Sequence, residues 1–234
     1  MPPLSSLASR WRNLAGWRRR HGSARAAAYA IYRLLDPVLG LRLYRVRVLD
    51  LERMPARVEE APGYAFRFLS AGEVARHAED PANDLAPEFA GRLEDGGHLC
   101  FAALRGETLA SYTWYAVGTV DPADSSGVPM RFPADSVYAY KAYTRPELRG
   151  QHLQGRLKQP VVDALLDRGI SRRIALVEWI NEASLRTADR SGYRDVGWLV
   201  TLGRGPRPLG IASPGPRREG IAFRRRAPRR PQGG

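Results

Sequence analysis

Apolar and polar positions change period several times along the chain, and each change marks a new element. Residues 41–49 (LRLYRVRVL) alternate apolar with basic residues, which predicts an edge strand. Residues 54–62 read as a loop, and 64–69 (YAFRFL) as a strand. Ser70 and Glu73 stand three apart, a capping-box spacing that opens a short helix, broken at 81–83 by Pro81. Residues 85–93 predict a second short helix, closed by Gly96 and Gly97. Two strands follow, 98–104 (HLCFAAL) and 108–117 (TLASYTWYAV), with a hairpin at Arg105 and Gly106. A polar loop covers 118–133, then 136–144 (SVYAYKAYT) is a strand. Residues 151–168 have a helical period and end at Gly169. Residues 174–179 (IALVEW) are a buried-type strand, 182–190 a helix ended by Gly192, and 198–202 a final strand.

Short links make the three strands after the two short helices (98–104, 108–117 and 136–144) antiparallel. The strand–helix–strand run from 136 to 179 predicts a parallel pair, because parallel strands need a crossover. The expected fold is α/β, with a mixed, mostly antiparallel sheet around one parallel strand–helix–strand unit and helices on its flanks.

Composition narrows the picture. The 234 residues are 44% hydrophobic, enough for a core, and no uncharged apolar run approaches the ~18 residues of a spanning helix. Cys100 is the single cysteine, so neither an intrachain disulfide nor a cysteine-based zinc site can form. That fits a reducing, cytoplasmic setting. His21, His77, His98 and His152 have no metal-ligand spacing.

The net charge of +13 raises nucleic acid as a partner, but its placement removes that reading. Residues 1–47 hold ten arginines and one acid, Asp36. Residues 201–234 hold nine arginines and one acid, Glu219. The chain between them is mildly acidic. Three segments follow: a basic N-terminal arm (1–48) with a short helix at 25–35 and an edge strand, a folded domain (49–202), and an Arg/Pro/Gly-rich segment (203–234) with a last strand near 220–223. The first 24 residues read as an arginine-rich leader. Trp11, Leu14 and Trp17 among arginines also suit an amphipathic helix lying on an anionic membrane surface. A signal peptide fits poorly, because the apolar stretch 26–32 is short and closed by Arg33.

The chemistry lies in two segments. In Tyr143-Thr144-Arg145-Pro146-Glu147-Leu148-Arg149-Gly150-Gln151-His152-Leu153-Gln154-Gly155, a strand runs through a tight turn into a helix start. Free amides and the helix dipole at such a start favour phosphate. Gly150 and Gly155 permit close backbone approach, and Arg149 and Arg156 add charge. A phosphorylated ligand is expected; the P-loop and dinucleotide fingerprints are absent. The second segment is Asn181-Glu182-Ala183-Ser184-Leu185, followed by Ser191-Gly192-Tyr193.

These two segments, in this order, resemble the Gcn5-related N-acetyltransferase (GNAT) superfamily. The first resembles its [RQ]xxGx[GA] acyl-coenzyme A loop, the second its NxxAxxxYxxxGF segment. The resemblance covers about residues 62–202. It implies an acyltransferase that moves an acyl group, most often acetyl, from acetyl-coenzyme A or another acyl-coenzyme A to an amine. Attack is direct, in a ternary complex, and no metal takes part. By position it implies that the backbone of Tyr143 and Thr144 meets the pantetheine arm. Arg149, Gly150, Gln151, His152, Leu153, Gln154 and Gly155 would cradle the pyrophosphate. Asn181 and Ser184 would lie near the thiol. His152 and Gln154 replace usual glycines, and Ala188 replaces the tyrosine that protonates the leaving thiolate.

The candidate base is Glu178, at the end of its strand. Tyr138 and Tyr140 share a face with Thr144 and could reach the acceptor or simply pack the core; Tyr112 and Trp114 read as core aromatics. The acceptor is an amine, on a small molecule or a peptide. Two alternatives stand beside this reading: a membrane-surface transferase with a longer acyl or carrier-bound donor, and a coenzyme A-binding module without turnover. Nucleic acid is not expected as a partner.

Overall fold

A computed structural model describes residues 23, 27, 29–32, 38–54, 62–121, 127–203 and 209–223. The expected leader and most of the 25–35 helix, as well as the tail beyond 223, lie outside the described residues; residues 29–32 are helical. Eleven strands are described: β1 (Arg42–Asp50), β2 (Ala65–Phe68), β3 (His98–Arg105), β4 (Thr108–Val117), β5 (Thr119–Val120), β6 (Met130–Arg131), β7 (Ser136–Thr144), β8 (Arg172–Glu178), β9 (Arg194–Leu202), β10 (Leu209–Ala212) and β11 (Ala222–Phe223). The helices are α1 (Ala71–Ala78), α2 (Phe89–Glu94), α3 (Leu153–Arg156), α4 (Lys158–Leu166), α5 (Glu182–Arg190) and α6 (Pro214–Arg218).

Eight strands form one sheet in the order β10-β9-β1-β8-β7-β4-β3-β2, and β11-β6-β5 form a second, small sheet. Only β7 and β8 run parallel; the other neighbours are antiparallel. This is the mixed sheet with one parallel crossover that the sequence implies. Strand alternation sends one set of side chains to each face. On one face Leu49, Phe101, Tyr115 and Val137 pack against Leu157, Val161 and Leu165 of the crossover and Ala188 of α5. On the other, Cys100, Tyr112 and Trp114 meet Val74 of α1 and Phe89 of α2. Beside them Tyr44, Val46, Tyr138 and Ile174 pack against Val120, Met130, Phe132 and Ile221 of the small sheet and its neighbours.

Several expectations need correction. The strand at 41–49 is not an edge: β1 lies between β8 and β9. Its arginines are neutralised from afar, Arg47 by Asp189 (2.8 Å) and Arg45 by Asp195. The helix at 151–168 is two pieces. Pro160 has no N–H for the Arg156 carbonyl, so that rung is missing, while Val161 still reaches Leu157 (3.0 Å). The helix at 85–93 begins only at Phe89, after Pro87. The strand at 198–202 is the end of a longer β9 and is followed by β10. The strand expected near 220–223 is present as β11, in the small sheet. The polar loop 118–133 contributes β5 and β6 to that small sheet. The Ser70–Glu73 capping box is present, and Arg67 on Glu73 holds that carboxyl down at about 2.

Candidate functional site

The site grows from an irregularity in β7. Opposite β4, Lys141 pairs with Trp114 and Ala139 with Tyr115, so Tyr140 is an extra residue, a β-bulge. Bulges bend a strand and sharpen its twist. Pairing between β7 and β8 runs only from Ser136 to Tyr138 against Arg172 to Ile174. Beyond the bulge, β7 continues to Thr144 and β8 to Glu178, but the two no longer pair. The sheet therefore opens into a notch at its centre, walled by two strand edges.

The bulge also resets the faces. Tyr138 and Tyr140 lie on the α1/α2 side, as do Lys141 and Tyr143 after the bulge. Thr144 is moved to the opposite side, so the expected sharing of one face by Tyr138, Tyr140 and Thr144 fails. The positions of their partners agree. Tyr143 stacks on Tyr112 (5.4 Å between centroids), whereas the Thr144 hydroxyl lies 2.9 Å from Ser111 Oγ. Burial raises the phenol pKa of Tyr112, and Tyr112 and Trp114 are core residues as expected.

Backbone direction within β7 follows the ladder with β4. The Tyr143 carbonyl accepts from Ser111 Oγ (2.7 Å), and the Arg145 amide donates to the Ala110 carbonyl (3.0 Å). Residues 143 and 145 thus point their backbone toward β4. By alternation, Ala142 and Thr144 point theirs into the notch. Of the two positions expected to meet pantetheine, Thr144 faces the opening and Tyr143 faces away.

At the mouth of the notch the chain turns through Pro146–Leu148 and Arg149 into α3. Arg145 anchors the turn by pairing with Asp80 and with Glu147 (3.1 Å). The Ala82 amide and Arg145 together hold the Asp80 carboxyl below its usual range. Gly150 (φ +87°) and His152 (φ +55°) both take left-handed backbone. His152 thus holds a conformation that glycine adopts more readily. The His152 carbonyl accepts from Gly155 (2.8 Å) and Arg156 (3.1 Å), which starts the helix. Arg149, Gly150, Gln151 and His152 are exposed, and Arg149 Nε reaches the Thr144 carbonyl (3.3 Å). Leu153 is buried beneath them.

Gln154 faces inward. Its Nε2 lies within hydrogen-bond distance of Ser111 Oγ (2.8 Å), the Tyr143 carbonyl (3.0 Å) and the Tyr112 carbonyl (3.1 Å), and Thr113 Oγ1 donates to its Oε1 (3.2 Å). It fastens the turn to β4 and β7. Gln151 receives the Tyr64 hydroxyl (2.9 Å).

The second motif sits beyond β8. Asn181 caps α5, its Oδ1 accepting the Ser184 amide (3.1 Å). Ala188 is buried against the core, so that position offers no proton donor. Glu178 pairs across the sheet with Tyr44 and shares a face with Tyr138 and Tyr140. Its Oε1 accepts the Tyr32 hydroxyl (2.6 Å). Tyr32 is buried, its oxygen lies 3.4 Å from the Leu43 amide, and its ring meets Trp179 edge-on. Sequence reasoning missed Tyr32, since nothing local links it to a glutamate 146 residues away. Tyr138 is buried in the core, and Tyr140 lies 3.1 Å from His98 Nδ1. Burial pushes the Cys100 thiol pKa upward, making it a poor nucleophile. Among the described residues no cluster of His, Cys, Asp and Glu is arranged for a metal, and no helix is long and apolar enough to cross a membrane.

No family model and no curated protein matches the chain. Solved structures do show likeness. The chain is similar to a protein of Drosophila at 14% identity and a TM-score of 0.48, over 76% of this chain and 57% of that one. It is similar to a GCN5-related N-acetyltransferase from Kribbella flavida (13%, TM-score 0.48, 74% and 62%). A third is a GCN5-related N-acetyltransferase-like protein from Streptococcus suis (13%, TM-score 0.44, 82% and 67%). The chain thus spans little more than half of the first of these.

Proposed function

We propose that this protein is an acyltransferase that takes an acyl group, acetyl in the simplest case, from a coenzyme A thioester to an amine. The observation that carries the reading is the notch between β7 and β8. Two parallel strand edges that stop pairing leave backbone donors and acceptors facing one another across a gap. Buried backbone groups need partners. An extended ligand with amides of its own, such as a pantetheine arm, supplies them in the manner of an added strand. The left-handed turn at Gly150 and His152 lies at the mouth of the gap, where a pyrophosphate would meet exposed amides and Arg149.

In this reading the amine nitrogen attacks the thioester carbon, the C–S bond breaks, and the sulfur leaves as thiolate. The amine proton passes to Glu178. Tyr32 holds Oε1 of that carboxylate, so Oε2 is the oxygen that takes it. Ala188 donates nothing to the thiolate, and Tyr138 and Tyr140 wall the acceptor side.

Thermal denaturation with acetyl-coenzyme A tests the reading first. Ligand at 100 times its Kd should stabilise the native state by about 2.7 kcal/mol. Gly150→Glu should abolish the shift, by placing charge and a Cβ in the phosphate turn. If neither acetyl-coenzyme A nor longer acyl-coenzyme A moves the transition, the assignment fails. If ligand binds but no amine consumes thioester, the protein is a binding module.

A further inference from the structure

An antiparallel sheet with one open face should read apolar inward and polar outward. The β9–β10 end breaks that rule. Its inward positions are covered. A Cβ on Gly197 would strike Ser213 and Pro216 at the start of α6, and one on Gly210 would press on Val128. Leu199 and Thr201 are buried. The outward positions are Trp198, Val200 and Leu202 on β9, with Leu209 opposite Leu202 and Ile211 opposite Val200 on β10. Trp198, Leu202, Leu209 and Ile211 are 37%, 40%, 48% and 66% exposed. Val38 and Leu39 are exposed as well, and the Leu39 carbonyl accepts the Gly203 amide (2.9 Å) at the end of β9. Six of the seven exposed large hydrophobic residues among the described ones thus gather at one end of the sheet. A gathered patch of this kind marks a docking surface.

Charge identifies the occupant. Seven arginines and one acid, Asp36, precede Val38, and the link between Gly203 and Leu209 carries Arg204 and Arg207. Apolar side chains with a tryptophan among them, next to chain segments whose sequence is rich in arginine, fit the headgroup boundary of an anionic bilayer. We infer that the outward face of β9–β10, with residues 38–39, docks on an anionic lipid surface. The inference stands apart from the acyl-transfer reading, and its test needs no coenzyme A.

The full-length chain is sedimented with phosphatidylcholine vesicles and with vesicles that also contain phosphatidylglycerol. The wild type should be retained by the anionic vesicles and scarcely by the neutral ones. Leu209→Gln with Ile211→Gln keeps the charge and removes the apolar contacts, and should weaken retention on the order of tenfold. Both side chains point outward, so its melting temperature should match the wild type. Tryptophan emission should shift blue on anionic vesicles, and Trp198→Phe should lose part of that shift. Equal retention of the double variant would overturn the inference. So would a wild-type dimer in sedimentation velocity that the double variant dissolves while vesicle retention stays the same; the face would then belong to a second copy.

Discussion

The turn at 149–155 and the segment at 181–193 both depart from the pattern they resemble, but with opposite consequences. In the turn, His152 stands where the resembled pattern has a glycine, and its backbone is left-handed. Gln154 replaces another, and its side chain ties the turn to β4 and β7. The amides stay where a phosphate could meet them. In the second segment the resemblance implies a tyrosine that would act through its side chain, and Ala188 leaves only a buried methyl group. A motif that works through backbone tolerates a change of residue as long as φ and ψ survive. A motif that works through one functional group does not.

The comparison can be pressed from both sides. Ala188→Tyr should fail to create a donor, because the site is packed core. Overfilling there should cost about 3 kcal/mol of stability, near the upper end for such insertions. Urea denaturation would measure it, and a stable, more active variant would show that the segment keeps room for its missing acid. Gln154→Ala should cost about 2 kcal/mol by stranding its hydrogen-bond partners in β4 and β7. Its loss of acetyl-coenzyme A affinity should exceed that of a surface change such as Gln159→Ala. The smallest effect has the opposite sign. His152→Gly should raise stability by about 1 kcal/mol, since an L-residue in left-handed backbone costs 1–2 kcal/mol and glycine avoids that cost at some entropic expense. A lower melting temperature for that variant would mean that the imidazole does more than fill the position.

Much of the fold was legible because it is local. The Ser70–Glu73 box, the Arg105–Gly106 hairpin and the stop at Gly169 are each written within four or five residues. What escaped depends on distance. β1 carries alternating arginines that read as solvent-facing, and only Asp189 and Asp195, more than 140 residues away, make an interior position tolerable. The bulge at Tyr140 follows from register with β4, which no alternation within 136–144 reveals. The turn at 149–155 stood out because its glycines and arginines are contiguous. The environment of Glu178 could not, because its partner Tyr32 comes from the opposite end of the chain.

The interior position of β1 has a consequence for how the molecule is made. Val46 pairs with Leu176, about 130 residues later in the chain, and Leu43 with Val200. During synthesis the first strand must wait, unpaired, until nearly the whole domain has emerged. Such long-range pairing raises contact order and slows folding. The half of the sheet from β2 to β7 can form early; the half that holds β8, β1 and β9 can close only after β8 and β9 have been made. Glu178 and the far wall of the notch belong to that late half, so the site comes into being only when the two ends of the chain have found each other.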